Sequence, residues 1–368
     1  LTWGGEWLRT DTAQRRDGLQ RNRITGVATN VVSPDVFPVR DFPVSETTEA
    51  GLFVEDEIRL LDGRLSLVPG LRHDRFDLAP KPDPVFVADN PGVVPVAIDE
   101  SNLTPRLGAA WTLDGGWSLH ANYALGFRAP PYNDANVGFT NLQFGYTALP
   151  NADLESESSR GLELGLRWRG DAGFVAIAAY RNEYEDFIES LRPLGTDPES
   201  GLLVFQSQNV DAVTIEGLEL RGTWRLGATW SALDGFSLDA ALSAARGTDE
   251  TAGQPLNSVD PPRVVAGLRF DATSGRWNAE LIASAARRPS RVDDSLGVQF
   301  RPPGHAVLDL LGQYHVSEAL RLDLGVYNLG DRKYWEWADV RGRLDDDVAL
   351  DRFTRPGRSV QATLVIEL

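Results

Sequence analysis

The residues best placed to do chemistry are aromatic. From Phe127 to Leu154 the chain reads FRAPPYNDANVGFTNLQFGYTALPNADL, with Phe127, Tyr132, Phe139, Phe144 and Tyr146 on a backbone stiffened by Pro130, Pro131 and Pro150. Such rings suit a flat apolar ligand with polar edges, and a Tyr oxygen can ligate ferric iron. Histidine offers less: His73, His120, His305 and His315 lie far apart, each inside a strand pattern, and read as isolated strand residues. Asp345, Asp346 and Asp347, with Asp351, present carboxylates to a divalent cation. They lack EF-hand spacing and read as a solvated loop. Nucleophile elbows, P-loops and HExxH motifs are absent, so an enzyme is not expected.

Composition narrows the classes further. The 368 residues carry 53 acidic and 36 basic side chains, a net charge of −17, which argues against a nucleic-acid partner. Zero cysteines exclude disulfides, cysteine zinc sites and cysteine nucleophiles. The chain opens on a strand pattern and contains no Met, so it is expected to be part of a longer protein. No run of 18 apolar residues predicts a membrane helix. A membrane barrel stays open, because its strands alternate lipid-facing and lumen-facing residues and dilute the apolar signal.

The elements that must position the aromatic stretch are strands. Trp117–Gly126 enters it, with Trp117, Leu119, Ala121, Tyr123 and Leu125 on one face and Ser118, His120 and Asn122 on the other. Gly161–Arg169 leaves it in the same style, and Asp62-Gly63 marks a tight hairpin. Similar segments recur along the whole chain, giving roughly 14 strands of about ten residues. Short turns alternate with long loops at about 11–45, 78–101, 127–158, 187–204, 247–260, 287–303 and 329–355. The expected fold is all-β, a transmembrane antiparallel β-barrel, with the long loops on the extracellular side. Trp117, Trp168, Tyr180, Trp224, Trp277 and Tyr314, near strand ends, are expected to form interfacial girdles. The long irregular stretch 127–158 is expected to be an ordered loop at the barrel mouth, facing the ligand.

Gly126–Arg167 resembles the FRAP…NPNL region of TonB-dependent outer-membrane receptors for haem and haemoproteins. The first box matches fully at Phe127, Arg128, Ala129 and Pro130, the second loosely at Asn151-Ala152-Asp153-Leu154. VYNLGDRKYWEWADVRG (Val326–Gly342) and RFTRPGRSVQATLVIEL (Arg352–Leu368) resemble that family's closing strands. The resemblance implies the C-terminal portion, over residues 1–368, of a plugged barrel of about 22 strands. The plug domain, the TonB box and the first strands would lie outside this chain. It implies a Gram-negative outer-membrane receptor that imports haem, with no permanently bound cofactor. The implied partners are haem or a haemoprotein, the TonB–ExbB–ExbD system through the N-terminal region, and outer-membrane lipid. One departure stands out: the family's loop commonly carries a haem-ligating His between the boxes, and Pro131–Pro150 has none. Tyr146, ahead of Tyr132, is then the candidate iron ligand, the second axial ligand coming from the plug. Phe139 and Phe144 would contact the macrocycle, and Arg128 would brace the loop or neutralise a propionate. The missing His also supports a ferric siderophore or another scarce nutrient as cargo. The alternative of another class is a complete, passive channel of about 14 strands.

Overall fold

The computed structural model describes every residue except Pro34, Gln143 and Leu368, and of Asp211 the backbone alone. Among the described residues, fourteen strands of eight residues or more follow one another. They are β1 Thr2–Thr12, β2 Val44–Glu55, β3 Leu65–Lys81, β4 Ile98–Thr112, β5 Trp117–Arg128, β6 Glu157–Gly170 and β7 Gly173–Thr196. Then come β8 Leu203–Arg225, β9 Phe236–Asp249, β10 Arg263–Asp271, β11 Trp277–Ala286, β12 His305–Ser317, β13 Leu320–Tyr327 and β14 Ser359–Ile366. Each pairs antiparallel with the next, so the sheet is a continuous meander. Among the described residues, the outer edges of β1 and β14 have no partner strand.

Register shows why the alternation matters. Residues directly opposite across a pair share a face. The row Trp111, Leu119, Leu166, Ile177, Leu220, Leu242, Val264 crosses seven strands without a polar side chain. The neighbouring row on the other face reads His120, Gly165, Ala178, Glu219, Ser243, Arg263, Ala286, His305. One face is therefore built for lipid and the other for a wet lumen. Next to the short turns the apolar face ends in a girdle. Trp168 stacks on Trp224 at 5.1 Å, and Phe270 joins Phe236 at 4.7 Å and Trp277 at 5.2 Å. At its other limit Leu162 shares a row with Arg181, Glu216 and Arg246, where the charged headgroup region begins.

Tyr180 corrects one expectation. It pairs with Glu163 and so sits on the lumen face, not in a girdle; a shift of one residue in parity is enough to move a side chain across the sheet. A second correction concerns the expected loop 187–204. Phe187–Thr196 stays paired with Leu203–Val210, making β7 and β8 a tall hairpin beyond the apolar band. Pro193 is tolerated because the ladder shifts register beside it. Elsewhere the alternation of turns holds. The Asp62-Gly63 turn is closed by left-handed Leu61, Asp62 and Gly63, with φ of 53°, 55° and 84°.

The buried core sits at the long-loop end. Leu78, Ile98 and Ala135 form one cluster, and Val292, Trp337 and Val340 another. Loop 82–97 contributes helix α1, Pro84–Asp89, started by Pro84 and capped by Asp83, whose carboxylate accepts from the Phe86 N–H. Arg40 holds that carboxylate with contacts of 2.8–3.0 Å.

Candidate functional site

The stretch between β5 and β6 is more regular than its sequence shows. Phe127 and Arg128 still belong to β5, opposite Ser158 and Glu157. Ala129 and Pro130 are buried. Pro131 then starts helix α2, Tyr132–Asn136, a single turn too short to leave a period in the sequence. A small hairpin follows, Phe139–Asn141 against Tyr146–Leu149. Its second strand lies parallel to Leu203–Gln206 of β8, so the tall hairpin is the wall to which the aromatic loop is stitched. The Gln206 amide also donates to the Pro150 carbonyl at 2.7 Å.

The two sequence boxes meet in a clasp of buried polar groups. The Arg128 guanidinium lies 3.7 Å from Asp134 Oδ2 and 3.4 Å from Glu157 Oε2. The Ser207 hydroxyl donates to Asp134 Oδ1 at 2.8 Å, and the Ile188 N–H donates to Glu157 Oε2 at 3.2 Å. The Asn151 side chain donates to the Ser207 carbonyl at 2.8 Å, and its backbone N–H to the Ala135 carbonyl at 3.2 Å. Asn136 brackets Val96, accepting from its N–H at 2.7 Å and donating to its carbonyl at 3.0 Å. Leu154 closes the arrangement against the Leu78–Ile98–Ala135 cluster. Buried polar groups must be partnered, and these partners are supplied by strand and loop segments far apart in sequence.

Arg128 thus braces two buried carboxylates. Replacing it with Met leaves Asp134 and Glu157 without their cation. Arg128 is 48% exposed, so the cost falls below that of a fully buried pair, about 1–3 kcal/mol locally. Backbone amides in 129–156 are expected to exchange faster in the variant by hydrogen–deuterium mass spectrometry. Unchanged exchange would remove the bracing role.

The candidate tyrosines fall into separate packing groups. Tyr132 lies against Phe42, ring centroids 4.9 Å apart, and packs on the Leu78 cluster. Tyr146 takes edge contacts from Phe139 at 5.9 Å and from Phe205 at 5.8 Å. Phe139 in turn carries the Arg16 guanidinium at 4.6 Å, and Asp41 holds Arg16 at 2.6 Å. Phe144, at the hairpin tip, is 74% exposed. Tyr146, Phe139 and Phe144 therefore share one hairpin that Tyr132 does not join. Sequence reading missed Arg16, Asp134, Glu157, Phe205 and Ser207 because their partners come from segments distant in sequence. The acidic run is divided among structural partners: Asp347 pairs with Arg343 and accepts the Ala349 N–H, and Asp351 pairs with Lys333.

A long-loop end over a polar-lined, apolar-coated sheet is the architecture of an outer-membrane barrel. Residues 1–329 match the family model described as TonB dependent receptor-like, beta-barrel. The chain belongs to that family. Its members are transport receptors rather than enzymes, and they reside in the Gram-negative outer membrane. Hemoglobin-haptoglobin utilization protein B of Neisseria meningitidis serogroup C is 28% identical over 342 residues, covering 82% of this chain and 42% of that protein. Probable hemoglobin and hemoglobin-haptoglobin-binding protein 4 of Haemophilus influenzae is 26% identical over 280 residues, covering 67% of this chain and 28% of that protein. The chain thus spans less than half the length of these relatives. Among solved structures, the copper transporter OprC superposes with a TM-score of 0.75 at 21% identity, covering 100% of this chain and 53% of that one. The ferric enterobactin receptor of Pseudomonas aeruginosa gives 0.67 at 22% identity, covering 99% and 51%. These two likenesses speak for the fold.

Proposed function

We propose that this TonB-dependent receptor barrel takes up haem, drawing it from a haemoglobin-type carrier, with energy from the TonB–ExbB–ExbD system. The likeness to haemoglobin-utilization relatives over 82% of the chain carries the reading. The aromatic hairpin supports it. A phenol flanked by two ring edges gives one face of a porphyrin a flat seat, and a ferric ion stabilises the deprotonated phenol. Tyr146 is the proposed loop ligand, with Phe139 and Phe205 at its edges and Phe144 at the exposed tip of the same hairpin to cover the macrocycle. Tyr132, packed into a core cluster, is the weaker candidate. The long loops face outside, residues 1–368 all belong to the barrel, and the second axial ligand comes from a plug in the rest of the protein.

The test is a haem titration of the full-length receptor in detergent, followed by absorbance. Wild type is expected to give a saturable Soret band, shifted or weakened in Tyr146→Phe and unchanged in Tyr132→Phe. A ferric siderophore is the second reading, favoured by the absence of His from Pro131–Pro150. No saturable band in wild type would remove haem and leave that reading.

A further inference from the structure

A cavity lies on the lumen face at the long-loop end, where the last long loop folds over the starts of β10 and β12. Its volume is about 420 Å³, and its wall includes Arg263, His305, Tyr334, Trp335, Glu336 and Arg355. This is within the range of small-molecule sites. The His305 side chain is 6% exposed, and among the described residues neither ring nitrogen forms a hydrogen bond. Its nearest acid oxygen, Glu336 Oε1, is 3.7 Å from Nε2. The imidazole lies against the Tyr334 ring, centroids 4.5 Å apart. The imidazole therefore lines the cavity with ring nitrogens that are uncommitted to a protein donor or acceptor and open to a ligand.

The surroundings restrict what could satisfy it. Among the described residues, no group of three or more His, Cys, Asp or Glu side chains stands ready to hold a metal. A bare transition-metal ion, which needs about four protein or water donors, is therefore poorly served. A metalloporphyrin brings four donors of its own and asks the protein for one axial base. Arg263, 3.6 Å from Glu336, and Arg355, 3.1 Å from Asp339, are both about half exposed and line the same cavity. Trp335 spends its indole N–H on the Leu350 carbonyl at 2.8 Å, leaving its ring as apolar wall.

We propose that this cavity is a second haem station in the lumen mouth, with His305 as axial base, Arg263 and Arg355 receiving the propionates, and Tyr334 and Trp335 flanking the macrocycle. It rests on the haem reading above and adds a place for the cargo after it leaves the aromatic hairpin. Haem passed from Tyr146 to His305 would exchange one axial oxygen for one axial nitrogen, with no change in oxidation state.

The experiment titrates the full-length receptor in detergent with ferric protoporphyrin IX, read by absorbance and electron paramagnetic resonance. Metal-free protoporphyrin IX serves as a second probe. Wild type is expected to show a nitrogen-ligated component that Tyr146→Phe retains. His305→Gly should lose that component and bind it at least tenfold more weakly, and exogenous imidazole should restore the signal. Metal-free porphyrin should bind His305→Gly as it binds wild type. Should His305→Gly fail to fold, Arg263→Gln carries the test, with weaker binding and an unchanged spectrum. Haem binding in wild type with a spectrum and affinity unmoved by His305→Gly would overturn the station and leave haem uptake standing. Absence of any haem binding in wild type would overturn both.

Discussion

Refolded alone into detergent or lipid, these 368 residues are expected to give no heat-modifiable, protease-resistant band. The reason lies at the two ends of the meander. β1 presents eleven residues and β14 eight to an edge with no partner among the described residues. In a strand, roughly half of the backbone N–H and C=O groups point to each side. Inside a bilayer each unsatisfied group costs several kcal/mol, so two open edges cost on the order of tens of kcal/mol. That exceeds the whole net stability of an ordinary domain, about 5–15 kcal/mol. Strands from the remaining length of a full receptor would pair both edges. A stable heat-modifiable band from the chain alone would show instead that β1 and β14 can pair with each other.

Strand content was the legible part of this chain. Alternation over Trp117–Gly126 or Ser359–Leu368 is a local signal, and strict period-two patterning survives any tertiary context. The aromatic stretch was legible as ordered because Pro130, Pro131 and five rings argue against disorder. What it is ordered by was not. Asp134 finds its hydroxyl on Ser207, 73 positions away, and nothing in either neighbourhood marks the other. Tyr180 differs from expectation by parity: its aromatic type points to a lipid interface, while register with Glu163 puts it in the lumen. The tall hairpin has no clear strand signal in the sequence, since Pro193 and Gly195 look like breakers, and only the pairing shows that the ladder steps around them. His305 read as isolated since Tyr334 and Glu336 arrive from the following long loop. Contacts made by folding loops over a barrel mouth leave no periodic trace.

Leu220→Arg is expected to destabilise the assembled receptor by about 2–4 kcal/mol, the cost of a cation near the bilayer midplane on the lipid side of a barrel. Leu220 stands between Ile177 and Leu242 in the apolar row, four residues above Trp224 in the girdle and four below Glu216 at the charged limit. An arginine there cannot reach either interface without stretching past two rows of apolar side chains. The next residue supplies the control. Arg221 pairs with Ala176 and Ala241 on the opposite face, so Arg221→Leu removes a lumen charge without touching lipid, and its cost should stay below about 1 kcal/mol. Urea titration of the full-length receptor in lipid vesicles, followed by tryptophan fluorescence, measures both. Equal destabilisation by the two changes would mean that the faces are not differentiated as the register shows. Stabilisation by Arg221→Leu together with a tolerated Leu220→Arg would place lipid on the other side, and with it turn the polar row that carries Arg263 and His305 away from the path of the cargo.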